Sequence, residues 1–221
     1  MWPFKPQPFS PEETLRWHVD ITCWYLRHFG HRPIVTQSEL VLPGPQHYKL
    51  GKAEGGKLAQ QVFAQTKALA HMTDTSVAAP ALEGPAGDVY RMVVLSARRL
   101  ARAVVASAPD RPPVHDRREI PAVVDVVATM MGFGVFLANH VIIDTYDYGG
   151  NKYGLIRKSV RDPHCVLGED DLVFDIALFL TFRGLKPAGA YDYLEKHLNE
   201  QLGAALRAAA HFKYELQAAT W

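Results

Sequence analysis

The sequence predicts a single, mainly helical α+β domain with a small sheet from its N-terminal half. Three observations carry that prediction. Apolar residues recur at helical spacing over most of the chain. Strand composition is concentrated in one early stretch, Pro33 to Leu42. No internal repeat, low-complexity tract or linker divides the 221 residues, a length that one domain can span.

Residues 1–9 contain Pro3, Pro6 and Pro8 and read as an extended arm; the domain is expected over 10–221. Ser10-Pro11-Glu12-Glu13 is a helix start. Ser10 can cap, Pro11 suits the first helical position and Glu13 can close a capping box. Leu15, Val19, Thr22, Leu26 and Phe29 then share a face, and Gly30 ends the helix. Pro33-Ile34-Val35 through Glu39-Leu40-Val41-Leu42 follows with strand composition, stopped by Pro43-Gly44-Pro45.

A second helix is expected over about 56–72 and a loop over 73–87, where a short strand around Val77 is an option. A third helix runs from Asp88 to Ala108, its apolar face built from Tyr90, Val93, Val94, Ala97, Leu100, Ala101, Val104 and Val105. A fourth spans about 118–139 and is apolar on all sides, which places it in the core. From His140 to Gly168 the chain is polar and turn-rich, with a short strand at Tyr153–Ile156. Glu169-Asp170-Asp171 provides the acidic first turn of a fifth helix that ends at Gly184. Pro187 opens one last long helix through Tyr191, Leu194, Leu198, Leu202, Ala205, Leu206, Ala209 and Phe212.

A net charge of +1 gives no global bias toward nucleic acid or anionic membrane. Cys23 and Cys165 form no disulfide framework and fit a reducing cytoplasm. The start of the chain lacks the basic and apolar regions of a signal peptide. Ile120–Ile143 is long enough to span a bilayer, yet it contains Asp125, Asn139 and His140. A carboxylate in hydrocarbon costs about 2.5–3.5 kcal/mol even on the lenient scale, so a buried helix of a soluble protein is the reading and no membrane partner is expected.

Arg98, Arg99 and Arg102 occupy the spacing of a metallopeptidase helix, in which two metal ligands stand four residues apart and a general base follows the first. Leu42-Pro43-Gly44-Pro45, Asp125 and the run Gly132-Phe133-Gly134-Val135-Phe136-Leu137-Ala138-Asn139 complete a pattern over about 33–185. This pattern resembles a bacterial group of zincin-like metallopeptidases of the gluzincin kind. The resemblance implies a zincin-like helical core. It also implies a lost active site, because Arg98 and Arg102 replace the histidines and Arg99 the glutamate of His-Glu-x-x-His. Pro121 stands where an acidic ligand belongs, and Glu119 is two positions out of register. Guanidinium carries a fixed positive charge and has no lone pair for zinc. Arg99 cannot deprotonate a metal-bound water. The expectation is a catalytically inactive binding or scaffold module with no cofactor, its partner a protein or a small anion.

The simplest reading of Arg91, Arg98 and Arg102 is a solvated stripe. The alternative has Arg98 and Arg102 lining a cleft, where they pair with Asp125 or bind a phosphate or carboxylate. Asp125 needs a partner if it is buried. A different class of function, a metal-dependent hydrolase, would use His140 and His164 with Asp144, Asp147 and Cys165, though their spacing matches no signature and ten histidines make coincidence easy. His28 and His31 are an equally weak pair. Gly149–Gly154 lacks the Walker spacing and reads as a hairpin turn. Arg111, Arg117, Arg118, Arg157, Lys158 and Arg161 lack the aromatic interleaving of a nucleic-acid surface, and no nucleophile elbow is present.

Overall fold

A computed structural model describes residues 10–30, 89–148, 155–162 and 165–220, with backbone alone at 89–92, 143–148, 155–158 and 160. The expected arm at 1–9, the strands at 33–42, the Leu42–Pro45 turn, the helix at 56–72, the loop at 73–87 and the turn at 149–154 lie outside the described residues. So does the sheet expected from the N-terminal half.

The described fold is mainly helical. Helix α1 spans Pro11–Phe29, and Ser10 and Glu13 close the capping box in both directions. Its burial is wider than the expected face: Trp17–Val19 and Ile21–Leu26 are all buried, while Leu15 and Phe29 are only partly so. Helix α2 spans Val89–Ser107, and Val93, Val94, Ala97, Leu100, Ala101 and Val104 bury its face.

The fourth expected helix is interrupted. Helix α3 covers Ile120–Ala128, a π-helical turn covers Thr129–Phe133, and helix α4 covers Gly134–Ala138. The break is at Gly132, whose φ of 96° is open to glycine and strained for other residues. Gly134 serves a different need. A Cβ there would stand 2.6 Å from Thr129 Cγ2 and 2.7 Å from Ile176 Cγ1, so the bare backbone lets the next core helix approach. By length and composition Arg117–Ala138 could cross a membrane, but 89% of its apolar window is buried inside the protein.

The segment read as polar and turn-rich carries two strands, β1 (Ile142–Tyr148) and β2 (Leu155–Arg161). They pair antiparallel from Ile142 opposite Arg161 to Tyr148 opposite Leu155. The β-branched and aromatic residues of β1 suit a strand, and the acidic residues among them obscured that signal. Helix α5 (Glu169–Arg183) ends at Gly184 in the left-handed conformation, φ 62°. Its first turn is tied by Asp171 Oδ2, which accepts from Gly168 N–H at 3.1 Å.

The single long C-terminal helix is instead three: α6 (Ala188–Tyr193), α7 (Lys196–Ala210) and α8 (Lys213–Ala218). Asn139 holds the first break. Its Nδ2 donates to Tyr193 O at 2.7 Å, and its Oδ1 accepts from Glu195 N–H at 3.1 Å. The side-chain amide thus satisfies backbone groups that an unbroken helix would have paired internally.

The core centres on α3 and its π-turn, with α1, α2 and α5 packed around them; α7 lies on α5, and α8 touches α1 and α5. Arg16 ties α1 to α8 through a two-pronged ion pair with Glu215. Arg16 also pairs with Asp20 one turn on.

Candidate functional site

Asp125 is the charged centre of the helical core. It lies on α3 and is 1% exposed. Helix α2 presents Arg98 to it, with Nε 2.6 Å from Oδ1. The contact is an ion pair without hydrogen-bond alignment. Oδ2 accepts from the backbone N–H groups of Val166 (3.1 Å) and Leu167 (3.2 Å). Arg161 takes the other side of the same short segment, donating from Nη2 to Val166 O at 2.8 Å and Leu167 O at 3.1 Å. The connector between β2 and α5 is therefore clasped through its amides by a core carboxylate and through its carbonyls by an arginine.

Burial pushes the Asp125 pKa up to about 6, against the opposing pull of Arg98 and the two amides. Desolvation of the carboxylate outweighs its stabilising contacts, as is common for buried ion pairs. Asp175 on α5 adds a like charge that raises it further.

The arginine stripe divides. Arg98 does not face solvent: its side chain is 12% exposed and paired with Asp125. Arg102, one turn on, is exposed, and Arg99 is half-buried. The Arg91 side chain lies outside the described residues. The stripe reading fails at Arg98 because a buried carboxylate from the neighbouring helix requires a counter-charge. Pro121 is half-buried in the first turn of α3. Glu119, the out-of-register acid, is engaged twice: Oε2 accepts from Trp17 Nε1 at 2.9 Å and Oε1 from Asp116 N–H at 3.0 Å.

Of the residues considered for a metal, His140 meets an acid from outside that set, Asp162, with Nε2 3.4 Å from Oδ2 and both residues buried. Cys165 Sγ lies 3.9 Å from His140 O. Burial pushes its thiol up to about 12, so it is protonated and unreactive at neutral pH. His164 and the side chains of Asp144 and Asp147 lie outside the described residues. Among the described residues, no three of His, Cys, Asp and Glu are grouped to hold a metal ion. His28 Nε2 is 3.8 Å from Asp110 Oδ2; His31 lies outside the described residues. Arg111, Arg117 and Arg118 are exposed, and Arg118 pairs with Asp116.

A second buried charged site escaped the sequence reading. His18, on α1 and 1% exposed, places Nδ1 2.8 Å from Asp175 Oδ1 and Nε2 3.5 Å from Asp171 Oδ1. The edges of Trp17 and Phe174 enclose the ring, with centroids 5.0 and 5.9 Å away. Burial pushes the imidazole pKa down, but the Asp175 charge and the contacts with both carboxylates override it. The net direction is upward. The signal lay in Asp171 and Asp175, four apart on an otherwise apolar helix, and in a histidine beside the apolar stripe of α1.

Among the described residues, the site therefore offers buried, mutually paired charges and no grouped metal ligands. No protein-family model, curated protein or solved structure matches this chain.

Proposed function

We propose that this chain is a catalytically inactive protein on a zincin-like frame, a helical core with a small sheet from the N-terminal half, retained as a binding or scaffold module. The observation that carries the reading is the Arg98–Asp125 ion pair. It stands where the resemblance puts a metallopeptidase's chemistry. An arginine with no lone pair to give fills the first ligand position, and its charge is spent on a buried carboxylate. The other Asp125 oxygen is taken by two backbone amides. Such a centre braces helices and holds a connector. It gives a metal ion no ligand pair and a water molecule no base. Two free, buried cysteines support a reducing compartment, the cytoplasm.

Metal analysis of the purified full chain tests the reading, with no stoichiometric zinc expected. One tightly bound zinc per chain, lost on His140→Ala or His164→Ala, would overturn it in favour of a metal-dependent hydrolase. The exposure of Arg102 one turn from Arg98 favours a second reading, an anion-binding surface. That reading requires affinity for a polyanion that falls steeply with salt and weakens in Arg102→Ala. Binding unchanged by Arg102→Ala would end it.

A further inference from the structure

Arg161 reaches both buried charged centres through two consecutive peptide groups. It is the last residue of β2, and it lies at the surface. One nitrogen, Nη2, donates to Val166 O at 2.8 Å and to Leu167 O at 3.1 Å. Each of those carbonyls shares a planar peptide with the next amide in the chain. The Val166 carbonyl is joined to the Leu167 N–H, which donates to Asp125 Oδ2 at 3.2 Å. The Leu167 carbonyl is joined to the Gly168 N–H, which donates to Asp171 Oδ2 at 3.1 Å. Asp171 in turn presents Oδ1 to His18 Nε2 at 3.5 Å.

Opposite charges therefore stand at the two ends of each peptide. The same guanidinium is at one end, and a different carboxylate is at the other. A cation on the carbonyl oxygen draws electron density from the N–H, and hydrogen bonds in such a chain polarise one another. Beyond the carboxylates lie the remaining members of each centre, Arg98 on Asp125 Oδ1 and Asp175 on His18 Nδ1. We infer that Arg161 is a strap that couples the Arg98–Asp125 centre to the His18–Asp171 centre and fastens both to the β1–β2 hairpin. Asp162, the next residue, donates its N–H to Val141 O at 2.9 Å and closes the base of that hairpin. A displacement of the hairpin base is thus carried to Leu167 and Gly168 together. Because the strap is exposed, it is a point at which an event at the surface reaches two centres in the core. The zincin-like reading is not needed for this inference.

Hydrogen exchange of the full chain, read amide by amide by NMR, tests it in Arg161→Gln. The substitution is at an exposed position and removes the charge while keeping a polar side chain. Exchange at Leu167 and at Gly168 should each rise about tenfold, the loss of one charge-assisted hydrogen bond discounted for its exposure. Val166 should change less, because its own peptide carbonyl, Cys165 O, is not one of the two that Arg161 holds. The His18 ring resonances should shift in the same variant. Arg161→Lys keeps the charge and a donor nitrogen, and should restore protection at both amides. Faster exchange at only one of Leu167 and Gly168, an equal rise at all three amides, or no rise at all would overturn the coupling. So would an unmoved His18 ring, or a lysine variant that exchanges as fast as the glutamine one.

Discussion

Replacing Arg98 with methionine removes the counter-charge of Asp125 while keeping a flexible apolar stem in its place. The size of the effect follows from proton linkage. In the wild type Asp125 has a pKa of about 6, against 3.8 for an unburied aspartate. Arg98 is the strongest influence holding that value down, so in Arg98→Met it rises and the carboxyl keeps its proton at neutral pH. Above pH 6 the wild type ionises inside the fold while the variant does not. Each further pH unit then costs the variant about 1.4 kcal/mol relative to the wild type. The difference is near zero at pH 5, about 1 kcal/mol at pH 7 and about 3 kcal/mol at pH 8, the last matching the cost of breaking a buried pair. Urea denaturation followed by circular dichroism at the three pH values measures it. At about 2–4 °C per kcal/mol for a chain of this size, the melting point should drop by roughly 6–12 °C at pH 8. Adding Asp125→Asn should abolish the pH dependence, because the amide is neutral and its carbonyl oxygen can still accept from Val166 and Leu167. A loss equal at pH 5 and pH 8, or below about 1 kcal/mol at pH 8, would refute the reasoning.

Other expectations follow from the same geometry. The raised pKa values of Asp125 and His18 have the same sign. The Asp125 contribution is full below about pH 4 and lost as pH rises through 6; that of His18 is full below 6.5 and lost through about 10. The wild-type melting temperature should therefore be lower at pH 9 than at pH 6, and a higher value at pH 9 contradicts both assignments. Gly132→Ala should cost about 1–2 kcal/mol from its positive φ, and Gly134→Ala about 1–3 kcal/mol by crowding Thr129 and Ile176; unchanged denaturation midpoints would remove the reason given for these glycines. Asn139→Ala loses two hydrogen bonds across the α6–α7 break, worth about 1–3 kcal/mol together. Hydrogen exchange should show the loss first at the Glu195 amide, and undiminished protection there would count against the clamp.

The helices were legible where local chemistry decides them. Ser10, Pro11 and Glu13 announce the start of α1, and Gly184 the end of α5, because caps act through neighbours in sequence. The interruptions were not legible. Gly132 inside an apolar run looks like tolerated glycine until its backbone conformation is known. The break after Tyr193 depends on Asn139, 54 residues earlier in the chain. The candidate site divides in the same way. Asp125 in an apolar helix implied a buried partner, and α2 was the available source, but helical spacing could not tell which arginine turned inward. His18 and Asp175 were missed because each looks ordinary alone, and only the packing of α1 on α5 makes them a pair.

The contact between Arg16 and Glu215 bridges 199 residues of sequence, and that between His18 and Asp175 bridges 157. On a ribosome adding about 5–20 residues per second, helix α1 emerges roughly 10–40 s before its last ion-pair partner is made. During that interval the apolar flank of α1 has no finished core to enter, and its imidazole has no carboxylate. Helix α1 is thus made well before the partners that lock it in place. Translation speed sets the length of that interval, so the yield of folded protein in the cell should respond to it more than equilibrium stability would suggest.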